Sequence, residues 1–147
     1  GGAVDVFGPK GSFVRRDPVG CPEEFVATGT GLAPIRAIVQ QALASGGVSP
    51  LLLLSGARTE LELLWRAELE ALCQAHARLR YEPIVSQPQN GWAGRTGRVQ
   101  AHLAELVVPL AGAHVYVCGV GEMVVECVAK LVGELGVPAE RVFTEKH

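Results

Sequence analysis

"VATGTGLAPIRAIV", Val26 to Val39, is the stretch on which the reading of this chain turns. A short apolar run ends at Thr28, Gly29 and Gly31 stand one residue apart, and a helical spacing opens at Pro34. A strand that turns directly into a helix leaves the first-turn N–H groups pointing outward. Those donors, together with the helix dipole, favour an anion. Glycines at 29 and 31 would let the backbone approach a ligand with no Cβ in the way. Pro34 suits the first helical turn, where its fixed φ fits and no N–H is missed. The loop is therefore a candidate phosphate cradle over Thr28, Gly29, Thr30, Gly31, Ala33 and Pro34. Taken alone, it reads equally as a tight turn between strand and helix. It lacks Gly-Lys-Ser/Thr, which excludes a triphosphate P-loop. It also departs from G-x-G-x-x-G, because Pro34 holds the last position. The second strand ends in Ser55-Gly56, with no acidic residue for a ribose hydroxyl.

Outward from the loop, strand and helix signals alternate. Glu24 to Thr28 reads as a strand. Ile35, Ile38, Val39, Ala42 and Leu43 recur at helical spacing, opposite Arg36, Gln40 and Gln41, until Gly46 and Gly47. "PLLLLSG" is a continuous apolar run of the kind covered on both faces. Thr59 and Glu62 read as a capping box opening a second helix, with Leu61, Leu64, Trp65, Leu69 and Leu72 as its buried stripe. "LRYEPIVS" is a third strand, which Pro83 places at a sheet edge. A loop over Gly91 to Gly97 and a short helix over Val99 to Leu106 precede "HVYVCG", the fourth strand. Val124, Cys127, Val128, Leu131 and Leu135 mark the last helix, before a fifth strand, "RVFTEK". The alternation predicts an α/β fold: a doubly wound five-stranded parallel sheet of order 3-2-1-4-5 in a Rossmann-like three-layer sandwich.

Composition narrows the function classes. The 147 residues are 48% apolar and 19% charged with a net charge of −2, as expected of one well-packed domain. No Lys/Arg block points to a nucleic acid, and no apolar run approaches the ~20 residues of a membrane span. None of the four cysteines forms a C-x-x-C pair, so no metal site is expected and a reducing, cytoplasmic setting fits. The four histidines read as surface or satisfied side chains. The chain lacks an initiator Met, so either a processed chain or, as the preferred expectation, a piece of a longer protein is read here.

Several segments, in order, resemble the nicotinamide-nucleotide domain of the ferredoxin–NADP reductase family of flavin-dependent oxidoreductases. "ATGTGLAP" looks like its pyrophosphate loop, and "LLLLSGARTELELLWRAEL" resembles its second strand and helix, with Gly56, Ala57 and Arg58 at the junction. "VSQPQNGWAGRTGRV" resembles its tryptophan and paired-glycine segment. "VYVCGVGEMV" is similar to its Cys-Gly-Pro-x-x-Met motif, and "GVPAERVFTEKH" resembles its ending. "FGPKGSFVRR" resembles the closing segment of the family's flavin-binding barrel.

The resemblance implies residues 1–20 as a remnant of that barrel and 21–147 as an NAD(P)-binding domain. It implies NADH or NADPH as cofactor, with FAD or FMN held by the flavin-binding domain of the same parent chain. An electron acceptor that the sequence does not name would follow. Cys118 would stand beside the nicotinamide and Glu145 at the flavin contact. Gly119, Val120, Glu122 and Met123 would complete the cofactor motif, and Ser86 and Gln87 would meet the adenosine side. Relatives that prefer NADPH tend to carry Ser-Arg there, and a neutral Gln87 cannot neutralise a 2′-phosphate. NADH is therefore the expected preference unless Arg58 or Arg95 swings in. Val120 departs from the family's proline, and His147 stands where an aromatic would shield the flavin. The same fold could also serve a nucleotide-sensing or interaction module, or a subunit of a sulfur- or hydrogen-metabolising complex.

Overall fold

A computed structural model describes residues 13–16, 20–89, 91–107 and 112–146. The described chain is one parallel sheet between two helical layers. The strands are β1 (Glu23–Thr28), β2 (Leu51–Ala57), β3 (Leu79–Val85), β4 (Arg95–Thr96), β5 (His114–Gly119) and β6 (Val142–Lys146), in the spatial order β4-β3-β2-β1-β5-β6. Every pairing is parallel. The five expected strands occur in the expected order, and the sheet has a sixth. β4 is only two residues long, pairing Arg95 and Thr96 with Ile84 and Val85 inside the segment read as a loop. A strand that short leaves no apolar period in the sequence. The expectation that the third strand is an edge strand is corrected: β4 lies outside β3 and pairs with Ile84 and Val85, and Pro83, which has no N–H to donate, precedes that short pairing.

The helices are α1 (Leu32–Ala44), α2 (Arg66–Ala75), α3 (Leu103–Leu106) and α4 (Gly121–Val128), the last continuing as a wider π turn over Ala129–Glu134. Strand residues alternate between two cores. Phe25, Ala27, Leu51, Leu53, Tyr116 and Cys118 face α1 and α2. Val26, Leu52, Leu54, Ile84, Val115 and Val117 face α3 and α4. Both faces are covered, so the strands read as unbroken apolar runs.

The second helix begins later than the sequence suggests. Glu60–Glu62 forms a separate 3-10 turn and Thr59 makes no side-chain cap, so the capping box does not form. Trp65 then adopts φ +52°, which ends helical continuity, and α2 starts at Arg66. Of the expected stripe, Leu69 is fully buried and Leu72 packs against the core, but Leu61 is 86% exposed and Trp65 38%. Trp65 lies under the Arg36 guanidinium, 4.8 Å from it, and Arg36 is paired with Glu68. Leu61, Leu64 and Trp65 thus sit outside the helical period that would have buried them.

Phe13 is buried in the α1/α2 core, edge-on to Tyr116, whose hydroxyl accepts the Arg16 N–H at 2.9 Å. Residues 1–12 and 17–19 of the expected barrel segment lie outside the described residues, as does His147.

A candidate nucleotide-binding cleft

The registers bring the carboxyl ends of β1, β2 and β3 to one level: Thr28 pairs with Gly56, and Gly56 with Ile84. The chain leaves β1 toward β2 on one side, while β5 lies on the other. This is the switch point at which open α/β sheets bind ligands. A cleft of about 690 Å³ opens there.

Ten expected site residues line it: Thr28, Gly29, Thr30, Gly56, Ala57, Arg58, Ser86, Gln87, Val120 and Met123. Gly31, Ala33, Pro34, Cys118, Gly119, Glu122 and Glu145 do not. Five residues that sequence reasoning left out also line it: Glu62, Gly97, Arg98, Val99 and Gln100. For Gly97, Arg98 and Val99 the signal lay in "AGRTGRV", where Gly97 takes φ +104°.

The glycine loop has two different glycines. Gly29 has φ +54°, and a Cβ there would meet nothing within 4 Å. It serves a left-handed backbone beside open space. Gly31 faces inward. A Cβ there would collide with the Cys118 carbonyl, whose carbon would be 2.6 Å away, and would stand 2.9 Å from the Gly119 Cα. The expectation that Gly31 clears room for a ligand is corrected: it lets α1 enter against the end of β5. Gly56 and Gly119 act similarly, since a Cβ on Gly56 would lie 3.0 Å from the Thr28 Cγ2 and one on Gly119 2.5 Å from the Thr28 Oγ1. Thr28 occupies the space that these two glycines leave, together with Val99 beside Gly56 and Met123 beside Gly119. No side chain caps the turn at Gly29–Gly31 or the start of α1, so its amides remain available at the cleft.

The rim is tied together by backbone. Ser86 N–H donates to the Ala57 carbonyl at 3.0 Å and Gln87 N–H to the Arg58 carbonyl at 2.7 Å. Gln89 N–H donates to the Glu60 carboxylate at 2.9 Å. Arg58 is largely exposed, with Glu62 3.9 Å away. Arg95 is otherwise engaged. Its guanidinium donates to Glu82 at 3.0 Å and to Glu105 at 2.9 and 3.0 Å, and these bonds raise its pKa and lower that of Glu105. It does not line the cleft, whereas Arg98 does.

Cys118 is fully buried at the end of β5, in register with Glu145 on β6. Burial, with the nearby Glu145 charge, pushes its thiol up to about 12, so it stays protonated at neutral pH. Ala33 and Pro34 lie in the first turn of α1 and Glu122 in the first turn of α4. One histidine departs from expectation: the His114 Nδ1 is buried without a hydrogen-bond partner among the described residues, and burial lowers its pKa. Among the described residues no three His, Cys, Asp or Glu side chains gather as metal ligands would, and no helix is long and apolar enough to cross a membrane.

A family model described as the oxidoreductase NAD-binding domain matches residues 25–129. Ferredoxin–NADP reductase B of Sorangium cellulosum (strain So ce56) is 42% identical over 154 residues, covering 100% of this chain and 63% of the relative. The NAD(P)H-flavin reductase of Aliivibrio fischeri is 31% identical over 123 residues, covering 84% of this chain and 52% of the relative. The crystal structure of the Amycolatopsis cytochrome P450 reductase GcoB matches with a TM-score of 0.79 at 28% identity, over 88% of this chain and 38% of that one. The chain thus spans roughly half to two thirds of the lengths of these two curated relatives.

Proposed function

This chain belongs to the oxidoreductase NAD-binding domain family, and from that premise we propose that it is the nicotinamide-nucleotide half of a flavin-dependent reductase. The cleft takes NADH or NADPH. A flavin-binding domain of the same parent chain, with residues 1–20 as its closing segment, presents FAD or FMN, and electrons pass on to an acceptor protein. A reducing, cytoplasmic compartment is the setting.

The observation that carries this reading is the uncapped Gly29–Gly31 turn, with Gly29 open to a cleft at the switch point. The residues present fit a dinucleotide. Backbone amides and the Thr30 hydroxyl would hold the pyrophosphate, with Arg58 as a countercharge. Ser86 and Gln87 would hydrogen-bond the adenosine ribose. Val120 and Met123 wall the other end and keep water from it. When bound, the reduced nicotinamide supplies a hydride.

The resemblance assigns Cys118 and Glu145 to the nicotinamide end. A thiol kept protonated by burial is a neutral positioning group there rather than a nucleophile or a base. Gly31, Ala33, Pro34, Gly119 and Glu122 support the loop and the start of α4 from behind. NADH is preferred over NADPH because Gln87 is neutral and Arg95 is already held by Glu82 and Glu105.

Titration calorimetry of the full chain with NADH and NADPH tests the reading. Saturable one-to-one binding is expected, weakened at least tenfold in Arg58→Ala/Thr30→Val, a double variant whose changes lie at the rim. No saturable binding of either nucleotide overturns it.

A further inference from the structure

The amino end of the sheet, away from the nucleotide cleft, holds a second cavity of about 150 Å³. Its walls include Val107, Val115, Leu135 and Val137, and two charged residue types border it: Glu24 on β1 and Arg141 just before β6. Glu24 is fully buried, yet neither carboxyl oxygen has a hydrogen-bond partner among the described residues. Its neighbour Glu23 shows the usual solution: it is equally buried but takes two 2.8 Å bonds from Arg15. Glu24 faces the opposite side of the sheet and has no such arginine. Arg141 makes no ion pair with it. Its Nη1 lies beside Gly112, 3.1 Å from where a Cβ of that glycine would be. Gly112 borders the cavity too, so the guanidinium reaches the cavity wall.

A buried polar group without a partner costs folding free energy, and it persists where something else satisfies it. Here an acid and a guanidinium border one space and do not meet across it. The space equals roughly five waters, enough for a carboxylate with two or three carbons. We propose that this cavity is a binding site for a small carboxylate, held between the Arg141 guanidinium and the Glu24 carboxylic acid, with its carbon chain against Val115 and Val137. The pairing is chemically complete. The ligand's two oxygens accept from the guanidinium and from the Glu24 O–H, and burial, which pushes Glu24 up to about 9, keeps that proton in place at neutral pH. A cationic ligand is disfavoured by Arg141 at the wall. The source is either a free short-chain acid or the carboxyl terminus of a peptide.

The experiment is a titration of the full chain, isotopically labelled, with sodium acetate and sodium propionate, followed by amide NMR shifts. The expected result is a saturable shift at Gly112, Val115 and Gly136, without movement at Gly29 to Gly31. Arg141→Met, at a half-buried position, should weaken binding about tenfold or more while leaving spectral dispersion intact. Glu24→Gln keeps an N–H donor and should retain it, whereas Glu24→Leu should abolish it. Acetyl-Ala-Ala with a free carboxyl separates the sources: tighter binding than propionate assigns a peptide terminus, and weaker binding a free acid. Shifts that do not saturate, or that sodium chloride or acetamide reproduces equally, overturn the proposal, as does an unchanged affinity in Arg141→Met.

Discussion

The two ends of this sheet treat their polar groups in opposite ways. At the carboxyl end, Gly29, Thr30, Arg58, Ser86, Gln87 and Arg98 stand exposed around a cleft, with amides that no side chain caps. At the amino end, Glu23 and Glu24 are both buried, one matched by Arg15 and the other unmatched. An exposed polar group is solvated until a ligand replaces the water, so it costs the fold little. A buried one must be answered within the molecule or by something the molecule holds. The carboxyl end is accordingly a site that the fold can carry at small expense. The amino end carries strain in stability that a change at one side chain should expose.

The largest expected effect comes from a residue in the cleft's own loop that belongs to the core. Gly31→Val drives a side chain into the Cys118 carbonyl, and backbone cannot yield as a side-chain tip can. A loss of roughly 3–5 kcal/mol, or insoluble protein, is expected in urea unfolding. A stability within about 1 kcal/mol of the parent would break the assignment of Gly31 to packing.

The next effect has the opposite sign. Burial raises Glu24 to about 9 from 4.5, with Arg141 the charged group bordering the same cavity. The folded chain therefore keeps a proton that the unfolded chain releases, and stability falls as pH rises from about 4.5 toward 9. Glu24→Gln removes that dependence. It should be more stable than the parent by about 3 kcal/mol at pH 7, with the two converging near pH 4. A gap that does not change between pH 4 and 8 would show the carboxyl to titrate normally.

A smaller loss is expected for Gly29→Ala. The new Cβ meets no atom, so its cost is the left-handed backbone alone, about 1–2 kcal/mol. Thermal melting should fall by a few degrees, far less than for Gly31→Val, while NADH affinity drops in calorimetry. Equal destabilisation of the two variants would erase the distinction between the glycines. The smallest effect should be Gln87→Arg, which adds one charged contact at the rim. NADPH affinity should rise about tenfold, with NADH and the melting temperature nearly unchanged. If the parent already binds NADPH tenfold more tightly, Arg98 is the group reading the phosphate.

Much of this was legible along the chain. Apolar runs at Leu51–Leu54 and Val115–Cys118 announced covered parallel strands, and the spacing of Ile35, Ile38, Val39 and Ala42 announced α1. Local signals failed where a neighbour overruled them. Thr59 and Glu62 spell a capping box, but Trp65 takes a left-handed conformation and restarts the helix at Arg66. Arg98 and Gln100 reach the cleft only because β4 pairs with β3 and Gly97 turns the following segment back, and a two-residue strand has no period to detect.

The sequence by itself determined the strand–helix rhythm, the order of the five main strands and the glycine turn that starts α1, because each rests on spacing between residues near in the chain. Only the tertiary structure decided what each glycine is for and which glutamate is satisfied. Gly29 and Gly31 differ through what stands opposite them, open space for one and the end of β5, nearly ninety residues away, for the other. Glu23 and Glu24 are adjacent and identical in kind. They part because successive strand residues face opposite sides of the sheet, and only on the side of Glu23 does an arginine reach the carboxylate.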